Sequence, residues 1–510
     1  MYLLIEGEGC HFYSSSQEKI TFIIKHHLKL SGIIRTAMIN EVSEEQLEES
    51  FIALKASYKK NPYPNLAQRK EVLQTLKKSL IAHEQDFYKA LSEDYGYRSE
   101  FDTLVADILP CVMGINYTLK RLGKWMKPSK RHAGIMLAPS RVEVQYQPIG
   151  VVGVISPWNF PIFLSMVPAI QAIAAGNRVM IKLSEFTPLT NKALIKATEC
   201  IREHLIIIEG EAETGAAFSS LPFDHLIFTG SSTVGRYVAK AAAENLTPIT
   251  LELGGKSPVI FTEDANWENA IDSVILGKTF NSGQVCVAPD YALVPRGKEE
   301  TFIQLFKERY QTYFANPDSN GKTKNPHSHI INQKQYERLQ DFLVDAEQKD
   351  AEIHEIQVSD STPEAKALNL HLLSNVSEDM ELMQQEIFGP ILPILPYDSI
   401  DECIEFINAR PRPLGLYVMS GNKDTVNKIL KQTHSGGACV NETSLQAIAE
   451  DAPFGGVGNS GSGHYHGKEG FQQLSKAKTV VISKAWLPKN KYFLKQRGLL
   501  FKILRKVLLR

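Results

Sequence analysis

The chain is 510 residues long, 43% hydrophobic and 22% charged, with 56 Lys and Arg against 57 Asp and Glu for a net charge of −1. That length predicts about two to four domains, and the balanced composition excludes a disordered chain, a fibrous repeat and a strongly basic nucleic-acid binder. Six scattered cysteines without a CxxC pair exclude a disulfide scaffold and favour a reducing, cytoplasmic compartment.

In the first 40 residues, Lys19, Lys25 and Lys29 break up the apolar stretch around TFIIKHHLKLSGII, so no signal-peptide core is expected. This segment (1–40) reads as an extension, and translation from Met38, just ahead of the acidic helix start INEVSEEQLEES, is one reading of it. Residues 41–138 are predicted mainly helical, as in QRKEVLQTLKKSLIAHEQDFYKALSEDYG. RVEVQYQP (141–148) alternates with period two and is predicted to be a strand apart from the main sheets. The 34 residues from 144 to 177 carry no charge, a length that would cross a bilayer. Pro148, Pro157, Pro161 and Pro168, with Asn159 and Gln171, instead predict a strand, a turn and a buried helix.

Short apolar strands are then predicted at 149–155, 177–183, 205–208, 225–230 and 248–253, with helical patterns between them at 187–204 and 231–246. Strands so apolar are buried on both faces, which predicts an α/β fold with a doubly wound parallel sheet and ligands at the carboxyl ends of its strands. A second α/β layer is predicted from SPVIF, YALVPRG and ILPILPYDSIDECIEFINA, and a second isolated strand at AKTVVIS (477–483). The last 22 residues, 489–510, carry eight basic and no acidic side chains. There, Leu500, Ile503, Leu504, Val507 and Leu508 recur at helical spacing. This is a basic amphipathic helix, suited to an anionic membrane surface or to docking on its own protein or a sister subunit.

Several segments carry groups suited to chemistry. FTGSSTVG (228–235) follows a strand and opens a helix, so Gly230, Ser231 and Gly235 offer small residues and backbone N–H groups to a pyrophosphate; an ordinary strand-to-helix turn is the alternative. Cys286, in FNSGQVCVAPDY, follows a small glycine turn as an exposed nucleophile would, although a lone cysteine is often a small buried apolar residue. Glu252 ends a predicted buried strand, positioned either for general-base work or for an ion pair with Lys256. Asn159, between prolines in SPWNFP, is either a fixed amide donor to a developing oxyanion or an Asx turn. PFGGVGNSGSGHYHGKEG (453–470) holds seven glycines, which fits close backbone packing around a ligand or a flexible loop. His464 and His466 lie there without acidic or cysteine partners, and no metal is expected.

Taken together and in order, DYGYRSEFDTL, QPIGVVGVISPWNFP, NRVMIKLSEFTP, PFDHLIFTGSSTVG, LELGGKSPVI, FNSGQVCVAPDY, EIFGPILPILPYDS, HSGGACVNET and PFGGVGNSGSGHYHGK resemble the aldehyde dehydrogenase superfamily, and within it the class 3 enzymes and their coniferyl aldehyde dehydrogenase branch. The likeness runs from about residue 45 to 483 and leaves 1–40 and 487–510 outside it. It implies a Rossmann-type NAD(P)-binding domain from 41–139 and 149–253, a catalytic domain from 254–470, oligomerisation strands at 140–148 and 476–484, and a homodimer. By the same resemblance Cys286 is the nucleophile, Glu252, 34 positions before it, the general base, and Asn159 the oxyanion amide. Glu386 and Phe388 would hold the nicotinamide ribose and ring, Lys182 and Glu185 the adenosine ribose, and Gly230, Ser231 and Gly235 the pyrophosphate.

The implied reaction is NAD(P)-dependent oxidation of an aldehyde, aromatic or medium-to-long aliphatic, to the carboxylic acid through a cysteine thiohemiacetal and thioester. Glu185 favours NAD by repelling a 2′-phosphate, with NADP as an alternative because Lys182 stands beside it. A coenzyme A-acylating dehydrogenase and a non-catalytic cofactor-binding protein are the alternatives. Leu183, Ala452 and Ser462 depart from the family's pattern without removing a reacting group.

Overall fold

The structure, a computed structural model, describes residues 2–6, 9–13, 42–314, 327–357 and 365–509. Met1–Glu41 and Val42–Arg510 are separate compact units. In the first, strands Tyr2–Glu6 and Gly9–Tyr13 pair as an antiparallel hairpin. The broken apolar stretch of the extension and the candidate start at Met38 lie outside the described residues.

The second unit opens with helices whose ends are written in the sequence. Ser43 caps helix Glu44–Lys60 in a capping box with Gln46, and Asn65 does the same for Leu66–Ala82 with Gln68. The long helical pattern at 68–96 is two helices, because His83 interrupts the run before Glu84–Tyr95, which ends on left-handed Gly96. The uncharged stretch forms strand Val151–Ile155, a turn and helix Pro161–Ala175. That helix is apolar all round and almost wholly buried, as such a helix must be.

Six strands form the first sheet, in the order Gly461–Ser462, Ile249–Leu253, His225–Gly230, Val151–Ile155, Arg178–Lys182 and Leu205–Ile208. The first of these pairs antiparallel and the rest parallel. Part of the glycine-rich segment thus joins the first sheet, with Gly461 opposite Glu252. The residues explain the contact: a Cβ on Gly461 would collide with the backbone of Leu251. A second sheet of seven strands runs Glu352–Ile356, Leu370–Ser374, Ile391–Tyr397, Tyr291–Pro295, Pro258–Phe261, Gly415–Met419 and Gly437–Val440, parallel except for the first.

Arg141–Pro148 and Ser475–Ile482 pair outside both sheets, and Ser129–Arg131, unforeseen in the sequence, joins them as a third strand. The C-terminal tail is helical at Lys489–Lys495 and Arg497–Leu508. Among the described residues no helix is long and apolar enough to cross a membrane.

Candidate active site

The two large sheets offer opposite ends to one centre. Asn159 lies just beyond strand Val151–Ile155, and Glu252 near the end of Ile249–Leu253, both at the carboxyl edge of the first sheet. Cys286 and Glu386 come from the second, each five residues before the start of a strand, Tyr291–Pro295 or Ile391–Tyr397. Sequence reasoning about carboxyl ends therefore covers only half of the site.

Cys286 follows a tight turn in which Asn281, Ser282 and Gly283 have φ of 47°, 52° and 68°. Two non-glycine residues in the left-handed region are held there only if their surroundings over-determine the turn. They do. The Asn281 N–H donates to Asp102 Oδ2 at 3.0 Å, and its side-chain amide donates to the carbonyls of Asn159 and Gln284 at 3.2 and 3.3 Å. The Gln284 amide donates to Asn281 and His329 carbonyls, both at 3.1 Å.

Asn159 is buried and donates from Nδ2 to the Gln284 carbonyl at 3.1 Å. An amide nitrogen carries two hydrogens, so one remains for another acceptor. The Asn159 carbonyl is gripped by Arg98 Nη1 at 2.9 Å and by the Tyr95 hydroxyl at 3.2 Å. Arg98 in turn forms a fully buried ion pair with Asp107 at 2.7 Å. Asp107 Oδ1 accepts from the N–H groups of Ile162 and Phe163 at 3.0 and 3.1 Å, so the same carboxylate caps helix Pro161–Ala175. Burial raises the Asp102 carboxyl to about 6. None of Tyr95, Arg98, Asp102, Asp107, Asn281 and Gln284 was singled out from the sequence. The only signal was the density of charged and aromatic groups in DYGYRSEFDTL and its neighbours, which ordinary surface helices also show.

The electrostatics of the centre are governed by burial. Cys286 keeps a partly open face, but the surrounding protein, then Glu386 and Glu252, push its thiol up to about 12. The N–H groups of Cys286 and Val287 oppose this more weakly. Glu252 is buried, its carboxyl is raised well above the usual range, and neither oxygen has a well-formed hydrogen bond; the Gly456 N–H helps its charged form only slightly. The expected alternative, an ion pair with Lys256, does not form: Lys256 pairs with Asp290 and donates to the Leu382 and Gln385 carbonyls at 2.6 and 3.0 Å. Burial and Asp290 raise Glu386 to about 8, against the pull of the Gly255 N–H, Lys256 and Arg338. Its carboxyl lies over Gly254, where any Cβ would collide with it. Phe388, at φ 50°, presents to Trp158 edge-on at 5.4 Å.

The remaining expected residues lie along the same sheet edge. Lys182 ends its strand, and its buried ammonium meets Glu185 at 3.4 Å. Ser231 caps helix Ser232–Glu244 by accepting from the Val234 N–H at 3.3 Å. Gly230 and Gly235 have a packing reason as well, since a Cβ on either would press on Phe228 or Leu253. A helix N-terminus after one strand, and a lysine and an acid after another at the same sheet edge, suit a dinucleotide, so the chain's residues fit NAD(P). Of the departures, Leu183 is fully buried in the core.

The aldehyde dehydrogenase family profile matches residues 34–480. A Pseudomonas aeruginosa protein named as a probable coniferyl aldehyde dehydrogenase is 46% identical over 441 residues, 85% of this chain and 90% of its own length. Aldehyde dehydrogenase family 3 member B3 of Mus musculus is 34% identical over 446 residues, 86% of this chain and 90% of its own. The Mycobacterium tuberculosis aldehyde dehydrogenase complexed with NAD+ superposes with a TM-score of 0.78 at 26% identity, covering 88% of this chain and 92% of that one. This chain belongs to the aldehyde dehydrogenase family. It is an NAD(P)-dependent oxidoreductase of the aldehyde group, similar within the family to the coniferyl aldehyde dehydrogenases and class 3 enzymes.

Proposed function

We propose that the chain oxidises aryl aldehydes of the coniferaldehyde type to their acids through a covalent adduct on Cys286. The observation that carries this reading is the meeting of one thiol, one unpartnered buried carboxyl and one clamped amide. At rest the thiol is neutral. Its proton passes to the ionised form of Glu252, which burial makes the less populated one, and from there to solvent, leaving the thiolate. Sulfur then bonds the aldehyde carbon, and the remaining Asn159 N–H and the Cys286 N–H meet the oxyanion; one such donor is worth about 3–4 kcal/mol. Bound NAD(P) supplies the hydride acceptor. Lys182 and Glu185 hold its adenosine ribose, Ser231 with the glycines its pyrophosphate, and Glu386 with Phe388 its nicotinamide end. Glu252, again ionised, takes a proton from water as the water oxygen attacks the thioester carbon. The C–S bond breaks, the acid leaves, and the proton returns to sulfur. A coenzyme A-acylating enzyme needs no such base, so the buried Glu252 argues against that alternative.

The test is NAD(P)H formation with coniferaldehyde, hexanal and decanal, without coenzyme A, in wild type and Cys286→Ala. Turnover of coniferaldehyde by the wild type alone is expected. Dependence on coenzyme A, or a preference for decanal, overturns the reading.

The same reading includes a homodimer in the cytoplasm that touches an anionic membrane through its tail. Support for the dimer is the outer strand Ser475–Ile482, which ends in exposed Val481 and Ile482 and leaves a sheet edge open. Support for the membrane contact is helix Arg497–Leu508, where Leu499, Phe501, Ile503, Val507 and Leu508 are exposed opposite Lys502, Arg505 and Lys506. Each basic group near an anionic surface contributes about 1 kcal/mol. Removing residues 489–510 should abolish salt-sensitive co-sedimentation with anionic vesicles and leave the dimer mass in light scattering unchanged. A fall to the monomer mass would instead assign the tail to the sister subunit.

A further inference from the structure

An apolar slot lies between helix Leu109–Trp125, helix Pro161–Ala175 and the chain at 448–450. Its cavity of about 120 Å³ compares with the roughly 150 Å³ apolar cavity that holds a benzene ring in another protein. Phe163, Val167 and Gln171 line it at intervals of four residues, on the helix that begins two residues after Asn159. Gln171 therefore stands about 12 Å beyond Phe163 along the helix axis. His466 closes another wall; its neighbour Tyr465 is within the field of Glu252 and Cys286. The slot thus begins at Phe163, one helical turn beyond Asn159, and extends along that helix to Gln171.

Its polar atoms are unusual. Gln171 is 3% exposed and His466 5% exposed, yet Gln171 Oε1 and both His466 ring nitrogens lack a hydrogen-bond partner. Glu450 Oε1, also on the slot, lacks one too. Buried polar atoms are normally satisfied, and each that is not costs free energy. The Tyr117 hydroxyl, by contrast, is already bonded to Asp451. His466 cannot turn away to find a partner, because Phe454 stacks on it at 5.6 Å and Phe163 meets its edge at 6.1 Å. Burial keeps its imidazole neutral, so one ring nitrogen is an acceptor. The unpartnered set is therefore rich in acceptors: an amide oxygen, a carboxyl oxygen and an imidazole nitrogen.

We propose that this slot is a specificity subsite for aryl aldehydes with a hydroxyl on the far side of the ring, whose O–H is accepted by Gln171 and Glu450 with His466 beside them. The inference rests on the aryl-aldehyde reading above and adds the recognition of the hydroxyl. A site built around unpartnered acceptors rejects an analogue that lacks the donor, because the acceptors then remain buried and unpaired.

The test compares kcat/KM for 4-hydroxycinnamaldehyde and cinnamaldehyde in the wild type, Gln171→Leu and Glu450→Leu. Taking the ratio within each enzyme cancels any general loss of activity. The wild-type ratio should be at least about tenfold in favour of the hydroxylated substrate, carried mainly in KM, and should fall toward one in both variants. Calorimetric titration of the wild type with 4-hydroxycinnamate and cinnamate should show the same preference without any variant. Turnover of both aldehydes with a wild-type ratio near one, or a ratio unchanged in both variants, overturns the subsite and leaves the aryl-aldehyde reading standing. No turnover of either aldehyde overturns both.

Discussion

The two sides of the active site solve opposite problems. Around Asn159 and Cys286, Arg98, Asp102, Asp107, Asn281 and Gln284 each hold a neighbour or a stretch of backbone, with only Arg98 Nε and Asn281 Oδ1 among their side-chain atoms buried without a partner. Around the slot, Gln171 and His466 are buried and Glu450 half-buried, each with atoms left unpartnered. The first arrangement fixes groups before a reaction, so that no reorganisation is needed as charge develops. The second leaves part of the polar bonding to be completed by an incoming molecule. Positioning and selection are thus served by different residues, although both groups flank the same helix.

Four experiments sharpen or break that division, taken from the largest expected effect downward. Cys286→Ala should lower aldehyde oxidation by about four orders of magnitude or more while NAD binding, followed by fluorescence titration, persists. Residual turnover near the wild-type rate would remove the thiol from the mechanism. Arg98→Met leaves the Asp107 carboxylate buried without its cation and should destabilise the protein by about 3–5 kcal/mol in urea unfolding. A loss under about 1 kcal/mol would mean the network is not what holds the turn. Asn159→Ala should reduce kcat by about 10²–10³ with little change in KM, since its free N–H meets charge that develops only in the transition state. A change confined to KM would move Asn159 to the selective side.

The smallest effect concerns pH. Burial holds Glu386 at about 8 against an ordinary value of 4.5. An acid whose folded pKa is raised stabilises the fold below its unfolded pKa and loses that contribution as pH climbs through the folded one. Stability should therefore decline between about pH 4.5 and 8, and Glu386→Gln should flatten the decline in unfolding curves. A parallel slope in both proteins would place the titration elsewhere.

Much of this was legible in the sequence, for reasons particular residues make clear. Strands Leu205–Ile208 and His225–Gly230 sit where their apolar runs predicted, because the sheet and the helices on it bury most of their side chains. Cys286, Glu252 and Asn159 were visible as motifs, but their mutual placement was not, since it depends on Gln284 and Asn281 bridging loops from two sheets. Strand Ser129–Arg131 was missed because three residues carry too little periodicity. The unpartnered state of Gln171 and His466 was equally hidden: a sequence states which polar groups exist, never which of them find partners.

The two-residue strand Gly461–Ser462 seals the edge of the first sheet directly against Glu252, from far along the chain. On the ribosome, the other strands of the first sheet emerge with that edge uncovered, a template for pairing with other chains. Glu252 gains that covering strand only when a segment 209 positions further along the chain is delivered (461 − 252 = 209). A product that stops short of Gly461 therefore carries Cys286 and Glu252 without that strand on the sheet edge.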